Sequence, residues 1–573
     1  MRMPVSCSPP KTIAPSPEIN ILTMKNASLM SYQSFVLTLL FASSSLMLWA
    51  QPAEQVDVVK QFNARLAEAE RVVVGPELPP LDTIDKRLQY DIRAQPMDVK
   101  YLPPRIRPLS LRREEPEPSY SGHLRVGGGA PRAVYIEGSY HLNTSERFAL
   151  GLDAFHHSFN NTNNVENMIR AENAYQLHGT YFAEQGFAVN AHAGYELDFF
   201  HFYGYNEVAE DFGRELSYTK NEVKQRFSNV TGGVEIYNAA RTEADFDYRA
   251  ALDMYFLNDF YNARENAFDI QLEGTKWFND RHPLRVLLRT DFTGFRDTSN
   301  QNLNNIFLHP TFTFHQEIWR LRAGINLANH DDEFFFFPDV EFMVQLGTSV
   351  LSLFGGADGT LQKNDFRALT TYNPFINSEV DIRNSRYYRL YGGIAGEFLG
   401  VTYRGEVSYK NVRDLALFVN DYDFSSDTIP RFNVLYDNAN LITFQLSAMV
   451  PLFKNFELSG MISQIIYSMD EEEKPWHLPS FTVNAGARYR MFDEQLLLHA
   501  DFYLQNGVPY LTREGEDANL NALLDLSLGA EFYFLENLGA FAHVNNLLSN
   551  RRERWQYYPV LGTNFRVGLS ARL

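Results

Sequence analysis

Cysteine is nearly absent from this sequence of 573 residues, which contains only Cys7. A single thiol excludes an internal disulfide framework and cysteine-rich zinc motifs. Cys7 also precedes the apolar run at residues 35–49. It is therefore neither a lipid-anchor cysteine nor a disulfide partner in the part of the chain that follows that run.

Long apolar runs are also missing from the chain after that first run. No later stretch reaches the roughly eighteen apolar residues that a transmembrane helix needs. The run at residues 35–49, preceded by Lys25, is typical of a secretory signal peptide. We expect the true start of translation at Met24 or Met30 as an alternative to Met1. We predict that residues 1–50 are an upstream extension and a signal peptide, and that the rest of the chain is exported.

Positive charge is scarce relative to negative charge. The formal net charge is −19, and residues 1–50 hold three basic residues and one acidic residue, so the remainder carries −21. An acidic chain argues against nucleic acid as a partner. The sequence also lacks a Gly-x-Ser-x-Gly motif, a phosphate-binding loop, zinc-ligand spacing and a dinucleotide fingerprint. We predict that the protein is not an enzyme and has no cofactor.

The sequence does contain a regular alternation of apolar and polar residues, from about residue 121 to the C-terminus. In the last segment Phe565, Val567 and Leu569 alternate with Arg566 and Ser570. Successive side chains of a strand point to opposite faces, so this period places one face against an apolar medium. About twenty-two such segments occur, joined in turn by long polar connections and very short ones. This pattern predicts an all-β fold, a transmembrane antiparallel β-barrel over residues 120–573 with short turns in the periplasm and long loops outside.

The polar faces of these segments carry both signs of charge. The residues that we assign to them are Glu137, Asp153, Glu196, Asp198, Asp247, Asp253, Asp269, Glu273, Asp339 and Glu341, with Arg285, Arg289, Arg320, Arg322, Arg404, Arg488 and Arg490. Each basic side chain would cost about 2–4 kcal/mol against lipid at the midplane. We therefore predict a wet, charged lumen.

Aromatic residues gather beside the short turns, where an interfacial girdle is expected. The members are Trp277, Phe278, Trp319, Phe453, Phe456, Tyr489, Phe492 and Phe534. The run Phe334 to Phe337 follows a predicted loop, and we assign it to the outer girdle, with a ligand-stacking surface as the alternative.

The C-terminal stretch contains Val544-Asn545-Asn546-Leu547-Leu548, then Trp555 to Gly562 with a Tyr-Pro-x-x-Gly segment, then Phe565 to Leu573. This order resembles the closing hairpin of TonB-dependent receptors. The resemblance implies a barrel of 22 strands in the outer membrane of a Gram-negative cell and a function in solute uptake. It also implies contact with outer-membrane lipid, the barrel assembly machinery, and a periplasmic energy-coupling protein or a surface lipoprotein. Two other functions stay open: a scaffold that anchors a surface or secretion complex, and an open diffusion channel.

Residues 51–119 depart from that family, because they are too few for its usual plug and contain no recognisable TonB-contacting box. Residues 54–74 fit a short amphipathic helix, and the many prolines that follow favour extended chain. Three interpretations stay open: a periplasmic linker, a segment that fills the lumen, and a docking site for a periplasmic partner. In the second, the acidic residues of the wall would face the basic run Arg105, Arg107, Arg112 and Arg113.

Histidines and carboxylates also meet near one predicted turn. The turn around Gln185 places His178 almost opposite His192 on the polar face, with Glu196 further along the same strand. Imidazole and carboxylate groups together can hold a transition metal. We keep these three residues as metal-ligand candidates, against the alternative of an ordinary polar wall.

Overall fold

The computed structural model describes residues 120–573, except 146, 214, 241, 348–349, 423–428 and 493. The predictions for residues 1–50 and 51–119 lie outside the described residues.

Twenty-two strands form one continuous sheet. They are β1 (Gly122–Ala130), β2 (Ala133–Ser145), β3 (Phe148–Asn160), β4 (Ile169–Phe182), β5 (Phe187–His201), β6 (Lys224–Asn238), β7 (Phe246–Asn258), β8 (Arg264–Phe278), β9 (His282–Arg296), β10 (Asn300–His315), β11 (Trp319–His330), β12 (Glu333–Leu346), β13 (Leu351–Asn364), β14 (Arg383–Phe398), β15 (Val401–Asn420), β16 (Phe432–Phe453), β17 (Phe456–Met469), β18 (Phe481–Met491), β19 (Leu496–Asn506), β22 (Leu523–Tyr533), β23 (Leu538–Asn545) and β26 (Asn564–Arg572).

The long connections contain the remaining elements. These are helix α1 (Tyr205–Phe212), helix α2 (Phe366–Tyr372), the hairpin β20 (Pro509–Leu511) and β21 (Asp517–Asn519), and the hairpin β24 (Glu553–Trp555) and β25 (Tyr558–Pro559). Within the described residues, neither helix is long and apolar enough to cross a membrane.

The sheet closes on itself. Each strand pairs antiparallel with the next, β19 pairs with β22, β23 with β26, and β26 with β1. The backbone N–H groups of Ser121 and Gly122 donate to the carbonyl of Leu573, at 2.6 and 3.1 Å, so both ends of the barrel segment meet. Closure leaves no unpaired edge, as a spanning sheet requires in lipid. The predicted antiparallel barrel of about 22 strands is confirmed.

The two faces of the sheet differ as the alternation predicts. On β26, Phe565, Val567 and Leu569 are 46%, 52% and 58% exposed on the outside, whereas Arg566 and Ser570 are buried on the inside. On β12, Phe334 and Phe336 are exposed at the loop end, and Phe337 is fully buried on the other face. The outer surface is therefore apolar and suited to lipid.

One residue was wrongly assigned to the predicted girdle. Trp277 lies on the inner face, where its Nε1–H donates to Asp247 Oδ2 at 2.7 Å. Phe278, Phe453, Phe492 and Phe534 are exposed as expected. Trp319 contacts Phe314 and Phe342, and Phe456 contacts Phe453 and Tyr489.

The two longest strands, β15 with 20 residues and β16 with 22, are adjacent. A tilted transmembrane strand needs only about 9–11 residues. The surplus length extends this part of the wall beyond the bilayer. At the loop end it supports the structure that covers the outer mouth.

Candidate functional site at the outer mouth and the lumen wall

The long connections fold inward and share one hydrophobic cluster, which we call the mouth cap. Its buried residues are Val165, Met168, Phe200, Phe202, Tyr203, Tyr205, Val208, Val223, Phe227, Leu257, Ala263, Phe295, Leu303, Phe366, Leu369, Phe375, Ile376, Val380, Ile382, Phe418, Ile429, Phe432, Trp555, Tyr557, Tyr558 and Leu561. The loop ends of strands from many positions around the ring contribute to it. It is therefore a tertiary core built on the loop side of the barrel.

A chain of aromatic rings crosses this cap. Phe200 at the end of β5 contacts Phe375, with ring centroids 5.4 Å apart. Phe375 stacks on Tyr558 at 3.7 Å and 14°, and Tyr558 contacts Phe432 at the start of β16 at 6.3 Å. Strands β5 and β16 are eleven positions apart in a ring of 22 and so face each other. The rings therefore connect the loop ends of two strands from opposite halves of the ring.

Hydrogen bonds hold the same connections together. The Tyr558 hydroxyl donates to the carbonyl of Pro430, and the Tyr203 hydroxyl donates to the carbonyl of Pro559 at 3.0 Å. The Arg431 guanidinium lies over the Phe202 ring, 5.1 Å from its centroid. Buried aromatic pairs contribute about 0.5–1.5 kcal/mol each beyond their burial. Contacts of this kind fix the cap in one arrangement.

Helix α2 is anchored to the wall through its first turn. Asp365 accepts from the N–H of Ala368 at 2.8 Å as N-cap. Glu265 on β8, which is fully buried, accepts from the N–H groups of Phe366 at 2.6 Å and Arg367 at 3.0 Å. These bonds satisfy backbone donors that a helix start leaves without partners. The β13–β14 connection is thus held inside the mouth.

A buried histidine lies at the edge of the cap. His477 donates through Nδ1 to the carbonyl of Phe418 at 2.6 Å and accepts at Nε2 from the Gln556 N–H at 3.5 Å. Its ring stacks on Trp555 at 5.5 Å and meets Phe432 edge-on at 4.9 Å. Burial lowers its pKa to about 4, and the bond to Phe418 only partly offsets this. His477 is therefore neutral at pH 7.

The lumen wall carries ion pairs on the predicted polar face. Arg125 bonds Glu531 at 2.6 Å and Glu137 at 3.3 Å. Further pairs are Arg285–Glu273, Arg289–Asp269, Arg320–Glu341, Arg322–Asp339, Arg389–Asp358 and Lys363–Asp291. The prediction of a charged inner face is confirmed. Because opposite charges are paired, much of the wall's charge is neutralised locally.

The structure places the metal-ligand candidates on the inner face but turns them toward different partners. His178 and His192 are directly opposite on β4 and β5. His192 Nε2 lies 3.5 Å from Asp253 Oδ1, whereas His178 Nδ1 lies 3.5 Å from Asp153 Oδ2. Glu196 accepts instead from Asn229 at 2.9 Å and lies 3.8 Å from Arg367 of α2. The three predicted residues therefore do not form one group.

The histidine that lies beside His178 is His141, which the sequence analysis missed. His141, Asp153 and His178 bring their ligand atoms within 4.8 Å of one another. The signal that could have found it is a single row of paired residues, His141, Gly151 and His178, across β2, β3 and β4.

Solved structures share this architecture. The pyoverdine receptor FpvA from Pseudomonas aeruginosa PAO1 is 13% identical, with 80% of this chain and 79% of that chain covered and a TM-score of 0.58. The ferric-catecholate import receptor Fiu from E. coli K12 is 8% identical, with 79% of this chain and 82% of that chain covered and a TM-score of 0.61. The FrpB iron transporter from Neisseria meningitidis is 9% identical, with 79% of this chain and 81% of that chain covered and a TM-score of 0.59. The barrel has the fold of TonB-dependent outer-membrane receptors.

No protein-family model and no curated protein sequence matches the chain. At 8–13% identity, the TonB-dependent-receptor fold is what these structures share with it. The fold predicted from the resemblance of the C-terminal hairpin is confirmed. The neighbours are transport receptors rather than enzymes.

Proposed function

We propose that the protein imports a solute across the outer membrane as a TonB-dependent-receptor-like transporter, with the mouth cap as its outer gate. The observation that carries this proposal is the aromatic chain from Phe200 through Phe375 and Tyr558 to Phe432. A barrel of 22 strands is wide enough to need filling or covering. A cap built from loops packed on strand ends can cover it and still move, because loops are the parts of a barrel that can rearrange without breaking the sheet.

The class of solute to test first is a ferric chelate. The neighbours by fold are named for pyoverdine, ferric catecholate and iron. A ligand of this kind suits the cap, because opening would release the Tyr203 and Tyr558 hydroxyls from the carbonyls of Pro559 and Pro430 and make them available to a polar ligand.

The proposed partners follow from the same function. Import against a gradient requires a periplasmic energy-coupling protein, a surface lipoprotein could deliver the solute, and insertion requires the barrel assembly machinery. The proposal includes no catalytic step, since no reacting constellation is needed for passage. The three interpretations of residues 51–119 stay open under this function.

A reversible crosslink across the mouth tests the gate. A Cβ added at Gly204, in the β5–β6 connection, would lie 2.7 Å from Pro430 Cγ, in the β15–β16 connection. The variant G204C/P430C therefore brings two thiols within disulfide range. The chain after residue 50 has no other cysteine, so the crosslink is specific. The readout is uptake of a labelled ferric catecholate by cells that produce the protein, with and without a reducing agent.

We expect the oxidised double variant to lose uptake and the reduced form to recover it, whereas uptake by G204C and P430C alone should not depend on the reducing agent. Comparison of one protein in two redox states separates gating from misfolding, because any packing error at position 204 is present in both. Equal uptake in the two states would show that the cap is not the gate. Absence of uptake of every ferric chelate tested, together with a barrel that stays closed to ions, would favour the scaffold function.

A further inference from the structure

A group of imidazole and carboxylate side chains lies on the inner face near the short-turn end of the barrel. His141 is on β2, Asp153 on β3 and His178 on β4, and His141 and His178 are both paired with Gly151. His141 is four residues from the end of β2, and His178 is four residues from the end of β4. The group is therefore far from the mouth cap, at the periplasmic end of the lumen.

The ligand atoms are close enough to share one ion. They all lie within 4.8 Å of one another, and His178 Nδ1 and Asp153 Oδ2 are 3.5 Å apart. A tetrahedral Zn²⁺ with bonds of about 2.0–2.2 Å spaces its ligand atoms about 3.3–3.5 Å apart. Small side-chain rotations would close the remaining distance. Two histidines and one carboxylate with a fourth position toward the lumen form an open site.

Ser139 orients two of these three side chains. Its hydroxyl donates to Asp153 Oδ1 at 2.6 Å and lies 3.3 Å from His141 Nδ1. If the hydroxyl oxygen accepts the Nδ1–H of His141, the Nε2 lone pair is left available. The same bond to Oδ1 leaves Asp153 Oδ2 facing His178. Partners of this kind set the tautomer and the orientation of metal-binding histidines.

Gly151 provides the space that the site needs. A Cβ at this position would lie 2.1 Å from His178 Nε2, so any other residue would push the ring away. The ring of His178 thus occupies the place of a side chain on the neighbouring strand. Its centroid is 5.3 Å from that of His141.

A second pair on the same wall provides an internal comparison. His192 lies over Gly233 as His178 lies over Gly151, and its Nε2 is 3.5 Å from Asp253 Oδ1. This pair has the same nitrogen–oxygen separation, through Nε2 instead of Nδ1. Within the described residues, however, His192 and Asp253 do not belong to a group of three ligand atoms that all lie within 4.8 Å of one another. The difference between the two positions isolates the contribution of His141.

We propose that His141, Asp153 and His178 bind one divalent transition-metal ion of the Zn²⁺ class on the periplasmic end of the lumen wall. Imidazole nitrogen with carboxylate oxygen suits Zn²⁺, Ni²⁺ and Cu²⁺ better than Mg²⁺ or Ca²⁺. The bound ion would join β2, β3 and β4 where solute leaves the barrel.

The test is Zn²⁺ binding by the full-length protein, purified in detergent without a histidine tag and titrated calorimetrically. Heat-dependent gel migration confirms that each variant is a folded barrel. We expect H141A, H178A and D153N each to weaken the tightest site by more than about 100-fold, and S139A to weaken it by about 10–100-fold. The matched control H192A removes an equivalent histidine and should bind as the wild type does.

Co²⁺ absorption gives a second readout, because tetrahedral coordination produces visible bands that an unspecific surface site does not. These bands should be present in the wild type and H192A and absent from H141A. Equal Zn²⁺ affinity in the wild type and the folded H141A/H178A variant would overturn the proposal, as would an equal loss in H192A.

Discussion

Acidification should open the mouth cap, because protonation places a positive charge on the buried His477. At pH 7 the neutral ring donates from Nδ1 to Phe418 and accepts at Nε2 from the Gln556 N–H. Protonation at Nε2 removes the lone pair that accepts from Gln556. The backbone N–H of Gln556 then faces the new N–H of the ring. The charge would also lie in the aromatic pocket formed by Trp555 and Phe432.

The size of the effect follows from the pKa of His477. This pKa is about 4 in the folded protein, against an ordinary value of 6.5 for histidine. Between pH 4 and 6.5 the open form binds the proton more readily than the closed form does. The free energy that favours the closed cap therefore falls as the pH drops from 6.5 to 4. Each pKa unit corresponds to about 1.4 kcal/mol, so the full loss is about 3 kcal/mol and the open population rises by a factor of a few hundred. At pH 5 the loss is already about 2 kcal/mol.

Hydrogen exchange measures this opening directly. Protection factors, corrected for the intrinsic pH dependence of exchange, should fall between pH 6.5 and 4 in residues 470–480 and 546–563 and stay constant in the barrel strands. The control is H477N, which removes the titrating group and tolerates the positive φ of 58° at this position. Its cap should be less protected at pH 7 but should lose the pH dependence. A wild-type profile that H477N reproduces would refute the reasoning.

Two further predictions concern packing and charge. F375A removes the ring that links β5 to Tyr558, so the cap should lose about 3–5 kcal/mol of stability. Ion conductance in planar bilayers should rise as a result. Unchanged conductance would contradict a sealed mouth. K363A leaves the buried Asp365 without its ammonium partner and leaves Arg289, at 3.4 Å, as the cation beside the buried Asp291. It should destabilise the barrel in urea unfolding by about 3 kcal/mol, the lower end of the range for breaking a buried ion pair. The exposed pair of Arg147 gives the control, since R147A should cost less than about 1 kcal/mol.

The barrel could be predicted from sequence because lipid and water act on opposite faces of every strand. Phe565, Val567 and Leu569 show this period directly, and closure follows from the number and order of such segments. Trp277 shows the limit of composition alone: it lies near a turn, as girdle residues do, but shares the parity of Glu273 on the inner face. The odd or even position of a residue along its strand predicts the face of the sheet better than its distance from a turn does.

The mouth cap and the His141 group both depend on contacts between distant parts of the chain, which produce no repeating pattern in the local sequence. Phe375 and Tyr558 are far apart in sequence and meet only when the connections fold over the mouth. His141 was missed because its register depends on the β2–β3 turn, where the pairing shifts between Asn143 and Ser145. A shift of one residue moves a side chain to the other face, so alternation cannot fix cross-strand neighbours beyond such a bulge.

Under the proposed import function, the distribution of charge also indicates where selectivity resides. Arg389 bonds Asp358 at 2.5 Å and Arg285 bonds Glu273 at 2.7 Å, and pairs of this kind cancel much of the field that a wall of one sign would produce. A wall of paired charges stays wet and offers many weak, similar contacts, which suits passage rather than recognition. Recognition then falls to the cap, whose aromatic rings must separate before any solute passes. The step that admits the solute and the step that selects it are, in this arrangement, the same rearrangement.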